Sequence, residues 1–292
     1  METKFALMLT GYKGLKFLEK IEKKPSFVVT YDNGEVGGNI HKKIMQVCKE
    51  RQIITHFQKS LKNLKSEIEE VDKIFVLGWQ YLIHKHHEKL IIFHDSYLPE
   101  RRGFSPTVSA LLDRSAYLGA TSFKPYKDAC EPDYGKIYSR KKEPIKYPIS
   151  LESACSLVSR MYVQMFNEII DTNKDPYDID YNISTFSLWR DNEDMVIDWN
   201  KSSEDILIKI MALGYPYDGA ISYFEQQEVR VIEAIQIPDI IICNRQDNVG
   251  KILRLKNGNP IVVCGNGLLL LNNVQNKNGF TMEFKNIRRR FK

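Results

Sequence analysis

Short apolar runs alternate with helix-patterned segments through the first half of this chain, and that alternation narrows the possible folds more than any other feature. Phe5-Ala6-Leu7-Met8-Leu9 reads as a buried first strand, and Gly11-Tyr12-Lys13-Gly14 as the turn into a helix carrying Leu15, Phe17, Leu18 and Ile21. Ser26–Thr30 supplies a second strand, closed by the Asp32-Asn33-Gly34 turn and the loop Val36-Gly37-Gly38; a helix from about Ile40 to Arg51 follows. Ile53-Ile54-Thr55, Lys73–Leu77 and Leu90-Ile91-Ile92-Phe93 are the next strands. Strands separated by helices pair in parallel through right-handed crossovers, so the pattern predicts an α/β fold with a doubly wound, mostly parallel sheet. The opening turn is not a dinucleotide fingerprint: its spacing is Gly-x-x-Gly, and no acidic residue sits where a ribose needs one.

Further along, Pro106 to Leu118 fits a helix with Val108, Leu111 and Leu112 on its apolar face, and Gly119–Phe123 resumes the sheet. Ser150 to Ile170 reads as a long amphipathic helix with Ser150 as its N-cap. From about Val249 the pattern turns to short strands broken by Gly and Asn. Gly250–Leu255, the Lys256-Asn257-Gly258-Asn259 turn and Pro260–Cys264 form a hairpin pattern, and Leu268–Leu271 follows the Gly265-Asn266-Gly267 turn. A small β-barrel is expected there.

At 292 residues the chain is long enough for two domains with separate cores. Its 43% apolar and 27% charged content is that of a soluble globular protein. No apolar run approaches the ~20 residues needed to cross a bilayer, so no membrane partner is expected. Met1 is followed by a short strand-like run rather than a signal-peptide pattern, which places the expected compartment in the cytoplasm. The five cysteines, Cys48, Cys130, Cys155, Cys243 and Cys264, form no Cys-x-x-Cys pair and suggest reduced thiols. His84, His86 and His87 read as a solvated loop, and no metal is expected. The net charge of +5 is spread thinly except in the tail Lys285–Lys292, which could touch RNA phosphates.

The chemistry is concentrated in two motifs. His94-Asp95-Ser96-Tyr97-Leu98-Pro99-Glu100-Arg101-Arg102-Gly103 places an imidazole at the end of a strand, where open α/β sheets collect their ligands. Pro132-Asp133-Tyr134-Gly135-Lys136-Ile137 holds a carboxylate in a tight turn. Each is bland alone. In this order and at this interval they resemble the 10-formyltetrahydrofolate-dependent formyltransferases, a superfamily that includes methionyl-tRNA formyltransferase and the enzymes that formylate amino sugars on nucleotide carriers. The β-rich tail is similar to the oligonucleotide-binding-fold-like domain of that superfamily. Val196–Asn200 and Ala212–Ala220 are similar to its inter-domain segment.

The resemblance implies a catalytic domain over 1–180, a connecting segment over 181–248 and a small β-rich domain over 249–292. It implies 10-formyltetrahydrofolate as co-substrate, with Trp79, Gln80, Tyr81 and Leu82 lining one side of the pterin and the Asp128–Asp133 loop the other. His94 would stabilise the oxyanion and move protons, tasks that suit an imidazole. Asp133 would orient it, and Arg102 would shape the loop near the formyl acceptor or pair with an acceptor phosphate. The family also carries an Asn two residues before the His, and here that position is Ile92.

The acceptor amine has three readings. The tRNA enzymes usually carry a long basic insertion after the second strand, whereas Tyr31–Gly38 is short and acidic. A sugar-nucleotide substrate is therefore expected ahead of tRNA. A non-catalytic folate-binding role is the third reading, motivated by Ile92, and a homodimer is left open.

Overall fold

The computed structural model describes residues 3–32, 34, 39–83, 85–127, 131–172 and 174–292. Val36–Gly38 of the loop after the second strand, His84, and residues 128–130 of the expected folate-lining loop lie outside the described residues. The chain divides into two units. The first comprises Met1–Ala110, Ser115–Ile145 and Ser153–Trp189; the second comprises Leu111–Arg114, Lys146–Glu152 and Arg190–Lys292.

The first unit runs β1 (Phe5–Leu9), α1 (Gly11–Lys20), β2 (Phe27–Thr30), α2 (Ile40–Glu50), β3 (Ile54–Phe57), α3 (Lys65–Glu69), β4 (Lys73–Leu77) and β5 (Leu90–His94). It continues with β6 (Arg102–Gly103), α4 (Pro106–Leu112), β7 (Tyr117–Pro125), β8 (Gly135–Pro144), α5 (Leu151–Ile170) and β9 (Phe186–Ser187). Seven strands pair in the order β3-β2-β1-β4-β5-β7-β8. The first five are parallel, and β7 and β8 are antiparallel. The doubly wound, mostly parallel sheet expected from the apolar alternation is therefore present.

Both sheet faces are covered, which is why β1, β4 and β5 read as continuous apolar runs. On one face Phe5, Phe75 and Phe93 meet Phe17, Phe166 and Tyr162, with ring centroids 4.9 to 6.0 Å apart. On the other, Ala6, Met8, Val29, Ile74, Val76 and Leu90 pack against Leu61, Leu64, Ile68 and Val71. Two sequence expectations differ. The helix starting at Pro106 ends at Leu112 rather than Leu118, because Arg114 turns left-handed at φ 51° and β7 begins at Tyr117. Strand β8 was not anticipated: it is an edge strand whose Lys-Arg-Lys-Lys content hides its alternation, and edge strands are commonly guarded by charge.

The second unit contains α6 (Ser203–Ala212), β10 (Ala220–Phe224), β11 (Gln227–Ile237), α7 (Arg245–Asn248), β12 (Ile252–Lys256), β13 (Asn259–Val263) and β14 (Leu268–Asn276). Its antiparallel sheet has the order β10-β11-β14-β13-β12. Backbone bonds from Arg289 to Lys292 reach both edges: Lys292 exchanges two with Tyr223, Phe291 N donates to Gly250 O, and Ile252 N donates to Arg289 O. The basic tail therefore has a structural task at the sheet edges. The interval 181–248, read from the sequence as a connecting segment, supplies β10 and β11 to this sheet. Strand β11 escaped notice because polar residues alternate with Val229, Val231 and Ala234, which are buried in it.

Candidate functional site

His94 is the last residue of β5, and its ring is 6% exposed. Leu90, Ile92 and His94 share one face of the strand by its two-residue period. The imidazole Nδ1 lies 3.3 Å from Asp133 Oδ1, and Nε2 lies 2.9 Å from the carbonyl oxygen of Arg101. A carbonyl only accepts, so Nε2 carries hydrogen. Both ring nitrogens thus face acceptor oxygens: a neutral ring satisfies one of them and an imidazolium both.

Asp133 lies in the connection between β7 and β8 with φ 50°, a conformation that Asp tolerates better than most residues. Its Oδ2 accepts the Gly103 backbone N–H at 2.8 Å, so one carboxylate joins the two motifs. Their glycines have steric reasons. At Gly103, φ is +97° and a Cβ would sit 2.6 Å from Ser187 O; at Gly135 a Cβ would sit 2.1 Å from Lys124 O.

Arg102 is buried directly behind this carboxylate. Its Nε and Nη2 donate to Pro132 O at 3.0 and 2.8 Å, and Nη2 also donates to Glu131 at 2.8 Å. The guanidinium lies against the Tyr134, Tyr181 and Phe186 rings, 4.8 to 5.3 Å from their centroids. Tyr181 completes the clamp by donating its hydroxyl to Gly135 O at 2.7 Å, and burial pushes that phenol above its usual range. The arginine expected near the acceptor loop is therefore occupied in fastening the Asp133 turn.

Ile92 packs against Leu98, Phe123 and Ile137, an apolar group that contributes no hydrogen-bond donor from its side chains. Trp79, Gln80, Tyr81 and Leu82 follow β4, the parallel neighbour of β5. Trp79 meets Tyr31 edge-to-face at 4.8 Å, Tyr81 lies 5.5 Å from the same ring, and Gln80 Oε1 accepts from the Tyr31 hydroxyl at 3.5 Å. Lys59 stands over Tyr31 and Tyr81 at 5.6 and 5.5 Å. Tyr81 and Leu82 are exposed. Beside Gly103, Phe104 forms an edge-to-face pair with Trp189 at 5.5 Å, with both rings exposed. Tyr31, Lys59, Tyr181 and Trp189 were not singled out from the sequence. Each is far along the chain from the motif it serves, and no local spacing marks it.

A doubly wound, mostly parallel sheet in a chain that continues into an antiparallel β unit is a formyltransferase-like architecture. Residues 190–292 match the family described as formyl transferase, C-terminal domain. Over 192 residues the chain is 27% identical to the methionyl-tRNA formyltransferase of Sulfurihydrogenibium sp. (strain YO3AOP1), covering 64% of this chain and 59% of that protein. The chain thus spans less than two thirds of that relative's length. HypX from Aquifex aeolicus, solved in complex with tetrahydrofolic acid, shares the fold with a TM-score of 0.65 at 12% identity, over 97% of this chain and 46% of that one. The N-formyltransferase from Helicobacter canadensis, solved with folinic acid and dTDP-3-aminofucose, has a TM-score of 0.60 at 16% identity over 94% and 99%. The resemblance to the formyltransferase superfamily drawn from the His94 and Asp133 motifs is borne out.

Proposed function

We propose that this chain transfers a formyl group from 10-formyltetrahydrofolate to the amine of a nucleotide-linked amino sugar. The observation that carries the reading is the His94–Asp133 contact, made by the two residues whose order and interval match the superfamily. 10-Formyltetrahydrofolate supplies the formyl carbon as an activated amide. As the amine nitrogen bonds to the formyl carbon, His94 Nε2–H stabilises the charge developing on the formyl oxygen, for which the oxyanion competes with the Arg101 carbonyl. The bond from that carbon to folate N10 then breaks, and the proton lost by the amine passes by way of His94 to the departing nitrogen, releasing tetrahydrofolate. Asp133 orients the ring through Nδ1 and balances its positive charge. Arg102 acts through Asp133 by fastening the turn that carries it. Ile92 leaves this set without a side-chain amide.

The residues after β2 and β4 fit a folate. Trp79, Tyr31 and Tyr81 give flat apolar surface to a pterin, Gln80 gives a polar edge, and the buried Thr30 hydroxyl has no hydrogen-bond partner among the described residues. Two observations support a sugar nucleotide as acceptor. The segment Tyr31–Gly38 lacks the positive charge that tRNA phosphates require, and the exposed Phe104 and Trp189 rings suit the flat base of a nucleotide.

The test is a formyl-transfer assay of the full chain with 10-formyltetrahydrofolate against dTDP- and UDP-linked amino sugars and charged initiator tRNA. Formylation of a sugar nucleotide alone is the expected result. Faster transfer to the tRNA would reverse the choice of acceptor, and folate binding without transfer to any amine would favour the non-catalytic reading.

A further inference from the structure

Asp95 follows His94 in sequence but takes no part in its contact with Asp133. Its side chain is 11% exposed, and its Oδ2 gathers donors from separate helices. Lys13 Nζ, on α1, donates at 2.6 Å. Thr107, in the first turn of α4, donates its hydroxyl at 2.5 Å and its backbone N–H at 3.3 Å. Tyr162, on α5, feels the charge of the same carboxylate, and its ring lies 5.1 Å from that of Phe93. Two helices, α1 and α4, are thereby tied to the end of the strand that carries the site histidine.

The charges are as unequal as the geometry. Burial alone would raise the Asp95 carboxyl, but the Lys13 ammonium, the His94 ring and the hydrogen bonds from Lys13 and Thr107 outweigh it and hold it well below the usual carboxylate range. Burial, followed by the Asp95 charge, pushes the Tyr162 phenol well above its own. Asp95 is therefore a fixed negative charge next to His94; Lys13 and the His94 ring act on it, and Cys155 and Asp133 act with it on Tyr162.

We propose that Asp95, locked by Lys13 and Thr107, is a positioning residue for His94: it fixes the strand end, so that the ring keeps its alignment between Asp133 and the Arg101 carbonyl. Its catalytic consequence rests on the function proposed above, while the alignment itself does not. The competing role is a plain buried ion pair that only stabilises the fold. The two roles separate because removing one partner of a buried pair leaves an uncompensated charge, whereas neutralising both is often tolerated.

The experiment compares the full-length wild type with Asp95→Asn and with the double variant Lys13→Met/Asp95→Asn, using thermal melts, the imidazole ring NMR signals of His94, and formyl-transfer kinetics. The double variant is expected to recover most of the stability lost by Asp95→Asn. Its His94 ring signals should nevertheless be displaced, with kcat lowered about ten- to a hundredfold and the folate KM within about twofold, as expected for a misaligned group. A folded double variant with wild-type ring signals would overturn the proposal. Should the double variant not fold, Thr107→Val, which keeps the ion pair, decides: displaced ring signals support the positioning role and unchanged ones overturn it. A wild type that transfers formyl to no amine would refute the functional reading, and the ring signals would still decide the role of Asp95.

Discussion

Two polar clusters in the first unit share one carboxylate, yet they treat it differently. Around His94, Asp133 Oδ1 meets a titratable ring, and the neighbouring Asp95 is neutralised by Lys13. Around Arg102, the guanidinium is enclosed by Tyr134, Tyr181 and Phe186 and donates to the carbonyl just before Asp133. The first cluster holds an imidazole, whose nitrogens can donate or accept hydrogen, and the second a guanidinium, which only donates. Under the proposed function, the contrast gives transition-state work to His94 and Asp133 and architecture to Arg102. Asp133 couples them because Oδ2 is fixed by Gly103 N, the residue after Arg102.

The strongest challenge to that division is to remove the chemistry without the architecture. His94→Ala and Asp133→Asn should each lower turnover by about a thousandfold or more, with melting temperatures close to wild type, because their work is concentrated in the transition state. Steady-state kinetics and thermal melts on the same samples check this. Near wild-type turnover in either variant would break the comparison.

Ile92→Asn sharpens it from the opposite side. An amide placed beside His94 should raise turnover by up to about a hundredfold if the oxyanion lacks that donor. Leu98, Phe123 and Ile137 offer the amide no side-chain partner, so stability should fall by about 1–3 kcal/mol in a urea titration. Unchanged turnover with the fold intact would show that another donor already serves the oxyanion.

Arg102→Met should act on stability first, by about 2–3 kcal/mol, through lost cation–π contact and carbonyl bonds. Its partner Glu131 is 64% exposed and can return to water, so the larger cost of stranding a buried charge does not apply. Arg102→Lys should rescue little, because a lysine cannot reproduce the planar fork. Denaturant unfolding checks both variants; unfolding like that of wild type in Arg102→Met would remove the architectural assignment.

The smallest effect is expected away from both clusters. Trp79→Ala should raise the folate KM about tenfold with kcat nearly unchanged, the signature of an interaction made equally in the ground and transition states. A fall in kcat with KM unchanged would move Trp79 into the chemistry.

The sequence revealed these regions unequally. Strands β1, β2, β4 and β5 were readable because a parallel strand covered on both faces has to be apolar throughout, and the His94 and Asp133 motifs because their order and interval resemble those of a known superfamily. Strand β8 was hidden by its edge lysines, and β11 by polar residues interleaved with its buried ones. The supports of the site were hidden for another reason. Lys13 is 82 residues from Asp95, and Ser184, whose hydroxyl accepts from Arg102 Nη1 at 3.4 Å, is 82 residues from Arg102, so only the closed fold brings them together. Arg102 itself could be found by its motif, but its enclosure between three rings could not.

Mass-spectrometric detection of product, after incubating the full chain with 10-formyltetrahydrofolate and a nucleotide-linked amino sugar, bears on the whole assignment, with His94→Ala run beside the wild type. The N-formylated sugar nucleotide should accumulate with the wild type and be absent or slower by about a thousandfold with His94→Ala. Equal product from both proteins would contradict the role given to the His94–Asp133 pair, and no product from either, with folate bound, would contradict the transferase itself.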